Sequence, residues 1–220
     1  MIDLSPETFR ALGYQAVDMI AERLTALADT PVRQPVPTDI REQLMHSPLP
    51  ADGTDPTELL NRIAEVVLPY PMGNASGRFF AWVNSPPAPM AALVEMIAAA
   101  HNASVAGGDH AATYVEHGVL NWMKAIFGFE ESAGAILTSG GSVANLIPLA
   151  VMRHVKSQGD MRAQGFNSEQ APMVIYTSTQ GHTCIQKAVE LLGFGSEYLR
   201  KIAVDDDYRI DIAALEAQIA

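Results

Sequence analysis

Ala135-Ile136-Leu137-Thr138-Ser139-Gly140-Gly141-Ser142 joins an apolar run to a helical pattern that continues to about Val155. The apolar run, Ala135–Thr138, predicts a short buried strand, because strands covered on both faces read as continuous apolar segments. Two adjacent glycines allow a tight turn from this strand into the helix. The stretch therefore predicts one strand–helix unit of an α/β fold.

Two more strand–helix units follow. Their strands are predicted at Pro172–Thr177 and Leu199–Val204, and their helices run to about Leu192 and begin near Asp211. The turn after the first of these strands is Ser178-Thr179-Gln180-Gly181-His182. Alternation of strands and helices implies crossover connections and a mainly parallel sheet.

The residues before this region predict helices. Ser5-Pro6-Glu7 combines a capping side chain, a proline at the first helical position and an acid in the first turn, and apolar residues recur at helical spacing from Phe9 to Leu27. Further helices are predicted at Thr38–His46, at Pro56–Leu68, from about Ala88 and at Ala112–Phe127. Residues 1–70 show little core of their own, so we expect them to pack on something else.

Composition restricts the class of function. The 220 residues are 48% hydrophobic and 18% charged with a formal net charge of −11, which is typical of a globular protein and unfavourable for a nucleic-acid surface. Cys184 is the only cysteine, so no disulfide forms within the chain, and no signal peptide or membrane helix is evident. We expect a cytoplasmic protein without a membrane partner. The last residues lie inside a helical pattern without a cap, so we also expect a truncated sequence.

The glycine turn is a candidate phosphate site. Gly140 and Gly141 permit close backbone approach by a ligand, and the helix start after them offers N–H groups and a favourable dipole. Ser142, as the expected helix cap, adds a hydroxyl. A tight turn with a serine cap and no ligand is the alternative interpretation. The turn is not a P-loop, since no Gly-Lys-Ser/Thr follows it.

His182 ends the equivalent turn after the next strand. Ligands of open parallel sheets bind beyond the carboxyl ends of the strands, so this histidine and the glycine turn are expected to face one cavity if their strands are neighbours. A capping or otherwise satisfied polar histidine is the alternative. Cys184 is interpreted as a buried small thiol, because no acid is adjacent to orient His182 toward it.

Three other features of the sequence are weaker indications of a functional site. His110, Glu116 and His117 lack the spacing of known metal motifs, so no metal is expected. Residues 193–198 begin like a dinucleotide motif but lack its third glycine, and they are interpreted as a helix end. The aromatic cluster at residues 79–82 is by default part of a core or an interface.

Five ordered motifs resemble the group II pyridoxal-phosphate (PLP) decarboxylases, which include the aromatic-L-amino-acid and glutamate decarboxylases. The resemblance runs over essentially the whole chain and is far more specific than any one motif. The matching segments are residues 5–13, 77–86, 137–146, 181–188, and 204–207 with Leu215-Glu216.

The resemblance implies a PLP enzyme of fold type I, the aspartate-aminotransferase-like large domain, which acts as a homodimer. Residues 1–85 correspond to an N-terminal helical segment that wraps around the partner subunit. Residues 86–220 correspond to the first, incomplete part of the PLP-binding domain. The implied activity is decarboxylation of an L-amino acid, and the Phe-Phe-Ala-Trp run favours an aromatic one.

Residue roles carried over by position are also implied by the resemblance. Gly140, Gly141 and Ser142 hold the cofactor phosphate. His182 covers the pyridine ring and is the catalytic residue of this part of the chain. Trp82, Asn84 and Ser85 lie near the substrate.

The sequence departs from the family pattern in three places. Ser76-Gly77 stand where the family often has His-Pro, and Pro148 interrupts the helix after the glycine turn. The family's Schiff-base lysine and the aspartate that binds the pyridine nitrogen come after the region that matches Ala220, so we expect this chain to be inactive alone. Two alternatives stay open: a truncated, non-catalytic dimerisation or regulatory paralogue, and a PLP-dependent aldehyde synthase on the same scaffold.

Overall fold

The computed structural model describes residues 4–157, 160–165 and 172–219. The chain divides into two compact units, the first ending at Ala103 and the second beginning at Ser104. The predicted division into domains after residue 85 is a different one, and it stays a prediction.

The N-terminal unit contains four helices. They are α1 (Pro6–Ala26), α2 (Thr38–His46), α3 (Pro56–Val66) and α4 (Pro89–His101). The predicted start of α1 is confirmed, since the Ser5 hydroxyl accepts from the Thr8 N–H at 3.1 Å. Helices α1 and α3 pack together, and the Gln15 amide donates to the Asn61 side chain at 2.9 Å.

This unit has almost no core, as the sequence predicts for residues 1–70. Val66 is the only buried apolar residue of the unit within the part of the chain that the structure describes. Large apolar side chains of α1 and α4 face solvent instead, such as Phe9 and Ile97 at 57% and 65% exposure. The apolar spacing of these helices therefore produces faces that the unit itself does not cover.

The C-terminal unit alternates helices and strands. Its elements are α5 (Ala111–Phe127), α6 (Gly141–Lys156), α7 (Met161–Gln164), β1 (Ile175–Ser178), α8 (Thr183–Leu191), β2 (Leu199–Ile202) and α9 (Ile212–Ile219), with a 3₁₀ turn at Ser196–Tyr198. At the start of α5 the Tyr114 hydroxyl donates to the Asp109 carboxylate at 2.8 Å, and this hydrogen bond, followed by slight desolvation, raises the pKa of Tyr114.

The parallel sheet is confirmed, but one predicted strand is not in it. Strands β1 and β2 pair in parallel, with Ile175 opposite Leu199 and Ser178 opposite Ile202. Residues 135–138 form no strand, and Ile136 and Leu137 are 62% and 53% exposed. A strand exists only through hydrogen bonds to a neighbour, and the described part of the chain gives this segment none. The prediction of a buried strand at 135–138 is therefore wrong for this structure.

A compact core lies where α8 meets the sheet. Val189, Phe194 and Leu199 are buried at its centre, and Leu149 and Met152 of α6 pack against them from one side. Gly193 ends α8 with a positive φ of 77°, and the Phe194 N–H donates to the Val189 carbonyl at 3.1 Å. The interpretation of residues 193–198 as a helix end is confirmed, and this end places Phe194 in the core.

Candidate functional site

The glycine turn leads directly into α6. Gly140 precedes the helix with an extended backbone (φ 160°, ψ 167°), and Gly141 is its first residue. The Thr138 hydroxyl donates to the Gly140 carbonyl at 3.2 Å, which closes the turn. Ser142 is the second helical residue and not the cap, so the predicted capping role of Ser142 is wrong. The helix begins two residues earlier than a cap at Ser142 requires, since its N-cap is Gly140 and its first residue is Gly141.

This turn leaves room for an anion. A Cβ placed on Gly140 or Gly141 would meet no other atom within 4 Å, so the space above both glycines is open. The N–H groups of the first helical turn, from Gly141 to Val143, have no acceptor within the helix. They carry the positive end of the helix dipole. A phosphate fits these donors without any basic side chain.

His182 is the N-cap of α8 and is exposed. Its Nδ1 accepts from the Cys184 N–H at 3.1 Å, so in this conformation the Nδ1 atom carries no proton. In the neutral ring the proton is then on Nε2. The capping role offered as the alternative is therefore present, and the residue that fills it is exposed.

Asn145 connects the two turns. It lies in the motif at residues 137–146, for which the resemblance implied no role of this residue. The Asn145 amide donates to the Gly141 carbonyl at 2.7 Å and lies 3.6 Å from the buried Cys184 sulfur. At the other end of the same two helices, Arg153 Nη1 donates to the Leu192 carbonyl at 2.7 Å. Helices α6 and α8 therefore run side by side with both N-termini at one end. The only signal in the sequence was an amide four residues after Gly141.

The predicted substrate-side residues lie in the N-terminal unit. Trp82 is 76% exposed and has a positive φ of 56°, a conformation that is strained for a bulky residue. Its ring contacts Phe79 with centroids 6.2 Å apart. The Asn84 amide approaches the Met72 sulfur at 3.6 Å, and the Ser85 carbonyl accepts from Asn74 at 3.0 Å. Phe80 is 95% exposed, so among the described residues of the unit it is not part of a core, and the interpretation of the cluster as an interface stays a prediction.

The lysines of the chain lie in regular elements. Lys124 is in α5, Lys156 ends α6, Lys187 is in α8 and Lys201 is in β2. Lys124 donates to the Glu131 carbonyl at 2.6 Å, and Lys201 donates to the Gln186 side chain at 3.1 Å. Within the described ranges no group of three or more His, Cys, Asp or Glu side chains is arranged to hold a metal ion, and no helix is long and apolar enough to cross a membrane.

Curated relatives match nearly the whole chain. An aromatic-L-amino-acid decarboxylase of Bacillus atrophaeus is 33% identical over 99% of this chain and 44% of its own length. An L-2,4-diaminobutyrate decarboxylase of Rhizobium meliloti is 29% identical over 98% of this chain and 42% of its own. A phenylacetaldehyde synthase of Arabidopsis thaliana is 27% identical over 92% and 42%. The chain thus spans less than half the length of these relatives.

Solved structures share the fold. Mouse CSAD superposes with a TM-score of 0.85 at 24% identity, over 97% of this chain and 45% of that one. A structure of Oryza sativa TDC with PLP and tryptamine superposes with a TM-score of 0.80 at 24% identity, over 99% and 46%. The expected fold class, part of a fold type I large domain with preceding helices, is confirmed.

The profile of the pyridoxal-dependent decarboxylase conserved domain matches residues 37–220, a range that includes the glycine turn, the His182 turn and the aromatic loop. The cofactor of this family is pyridoxal phosphate, and the open turn at Gly140 and Gly141 has the donors that its phosphate needs. The sequence match and the shared fold agree, and the chain belongs to the pyridoxal-dependent decarboxylase family.

Proposed function

We propose that this chain is the cofactor-phosphate half of an enzyme that decarboxylates an L-amino acid, with an aromatic amino acid as substrate. The observation that carries the proposal is the arrangement of α6 and α8. Their N-termini lie at one end of the unit, one offering free backbone N–H groups and the other a histidine ring. Family membership supplies the reaction class, and the exposed Trp82 and Phe80 support an aromatic side chain.

Each residue of the arrangement has one task in this proposal. The N–H groups after Gly140 and the Ser142 hydroxyl bind the phosphate, and His182 lies against the pyridine ring with its Nδ1 held by the Cys184 N–H. Bound pyridoxal phosphate supplies the electron sink for the loss of CO₂. Trp82, Asn84 and Ser85 contact the substrate.

The assembly and location of the enzyme are part of the proposal. We propose a homodimer, because apolar side chains of the N-terminal helices, such as Phe9 and Ile97, are exposed in the single chain. A single free cysteine, Cys184, fits a reducing compartment, so we assign the protein to the cytoplasm.

The reaction is tested on the protein as its gene encodes it. With PLP added, CO₂ release and products are measured for aromatic L-amino acids and for L-glutamate. We expect stoichiometric amine and CO₂ from an aromatic substrate. Aldehyde, ammonia and hydrogen peroxide in place of amine would identify an aldehyde synthase. Absence of any CO₂ would overturn the proposed reaction and favour a non-catalytic subunit.

The 220-residue chain alone is expected to be inactive. The four lysines lie in helices or a strand, and Lys187, the nearest in sequence to His182, is in the second turn of α8. Residues 1–220 are therefore expressed with PLP, treated with borohydride and analysed by peptide mass. A lysine adduct at a single position together with CO₂ release would show that the reactive lysine is one of these four.

A further inference from the structure

Arg78 connects the start of the aromatic loop to the end of α1. Its Nη2 atom donates to the Thr30 carbonyl at 2.7 Å and to the Ala28 carbonyl at 3.1 Å. Both carbonyls follow the C-terminus of α1, where unpaired acceptors and the negative end of the helix dipole favour a cation. One exposed guanidinium thus joins two segments that are 48 to 50 residues apart along the chain.

A second contact beside Arg78 brings the same two segments together. Gly73 has a φ of 100°, and a Cβ added to it would lie 2.3 Å from the Val32 carbonyl oxygen. Earlier in α1, Arg23 donates to the Leu68 carbonyl at 2.5 Å. The segment from Leu68 to Arg78 therefore lies along the end of α1 with backbone in contact with backbone.

The loop that follows Arg78 is closed at its base and open at its tip. The Asn74 amide donates to the Ser85 carbonyl at 3.0 Å, which brings the loop ends together. Between them Phe80, Trp82 and Val83 are 95%, 76% and 103% exposed. Trp82 keeps its strained φ although its ring is largely exposed and contacts Phe79. Its position therefore depends on where the two ends of the loop are held.

We propose that Arg78 is a positioning residue for substrate binding. It does not touch the substrate; it fixes the base of the loop at residues 79–85, and this base sets where Trp82, Asn84 and Ser85 stand. The inference rests on the proposed function for the role of those three residues. The phosphate turn belongs to the other unit, so loss of Arg78 changes substrate affinity without changing PLP affinity.

The test compares Arg78→Ala and Arg78→Lys in the protein as its gene encodes it. Lysine keeps the charge but not the planar fork that reaches two carbonyls at once, so it restores part of the effect. The matched control is Arg10→Ala, because Arg10 is an exposed residue of α1 whose side chain makes no hydrogen bond with the residues that the structure describes. We expect Arg78→Ala to raise KM for the aromatic substrate about tenfold, with kcat nearly unchanged.

The position of the loop is measured by a method that does not need enzyme activity. In a background where Trp122 and any tryptophan encoded outside residues 1–220 are replaced by phenylalanine, Trp82 is the single tryptophan, and acrylamide quenching of its fluorescence reports its surroundings. Changed quenching in Arg78→Ala, absent in Arg10→Ala, with unchanged PLP affinity supports the proposal. Unchanged quenching and KM, or an equal loss of PLP affinity, would overturn it. If the alanine variant does not fold, Arg78→Lys decides by the same two readouts. A wild-type protein without decarboxylase activity would overturn the proposed function, and the quenching result would still decide whether Arg78 fixes the loop.

Discussion

The turns that precede the N-termini of α6 and α8 follow different kinds of backbone segment. The His182 turn follows β1, which is paired with β2 along its whole length and continues through a hydrogen bond from the Thr179 N–H to the Ile202 carbonyl at 2.8 Å. The glycine turn follows residues 135–138, which pair with no strand in the described part of the chain. One turn is thus held by its own backbone ladder, and the other depends on the helix that follows it.

The two turns both contain glycine and precede a helix, but different contacts fix their positions. His182 has its Nδ1 occupied by its own helix, so its orientation is determined within three residues. Gly140 and Gly141 have no side chains to orient, and α6 has no side-chain cap. The position of the glycine turn relative to His182 therefore depends on the packing of α6 against α8 and on Asn145.

Replacing His182 is expected to have the largest effect. In His182→Ala, turnover should fall by about 100-fold or more, because the variant removes the ring that we propose orients the cofactor. The loss of the cap should also cost about 1 kcal/mol of stability. Both quantities are measured on the encoded protein, by steady-state kinetics and by urea unfolding.

His182→Asn is the matched variant, since asparagine keeps a capping acceptor and removes the ring. It should recover the stability and not the turnover. Wild-type turnover in His182→Asn would mean that the residue serves only as a helix cap.

Gly141→Val is expected to weaken PLP binding by at least about tenfold. The structure shows open space at this Cβ and no left-handed backbone, so the reason is obstruction of close ligand approach and not strain in the chain. The dissociation constant is measured by spectroscopic titration. Gly118→Val, at an equally open glycine inside α5, is the control for the cost of a β-branched residue in a helix. Equal PLP affinities in the two variants would mean that the glycine turn is only structural.

Asn145→Ala removes the hydrogen bond from the Asn145 amide to the Gly141 carbonyl at the start of α6. We expect a loss of about 1 kcal/mol in stability and a PLP affinity lowered several-fold, from displacement of Gly141 relative to His182. Asn121→Ala, at an exposed position of α5, controls for the substitution itself. Lower stability with unaltered PLP affinity would show that Asn145 holds the helices together without shaping the phosphate site.

Ser142→Ala is expected to have the smallest effect. Ser142 is exposed and lies inside the helix, so stability should change by less than about 0.5 kcal/mol. If the hydroxyl donates to the phosphate, PLP affinity should fall a few-fold, as for loss of one hydrogen bond. An affinity equal to wild type would leave the phosphate to the backbone N–H groups alone.

Helix positions were predictable because their signals are local. Ser5 caps α1 as expected, α2 has the predicted bounds, and the starts and ends of α5 and α8 lie within a residue of those predicted. Helix α5 also lies where it was predicted, but two of its large apolar side chains, Trp122 and Ile126, are about 70% exposed. Apolar residues at helical spacing indicate which face of a helix is apolar. They do not indicate whether the same chain packs against that face.

Local sequence patterns predicted most of the helices, the two glycine-containing turns, the parallel pairing of the later strands and the resemblance to PLP decarboxylases. These depend on residues near one another in the chain, or on several motifs in a given order. Three features became known from the folded chain: residues 135–138 have no strand partner in the part that the structure describes, α6 begins at Gly141 and leaves Ser142 inside the helix, and Asn145 connects the two turns. The first and the last of these depend on whether distant segments meet, which no local pattern encodes.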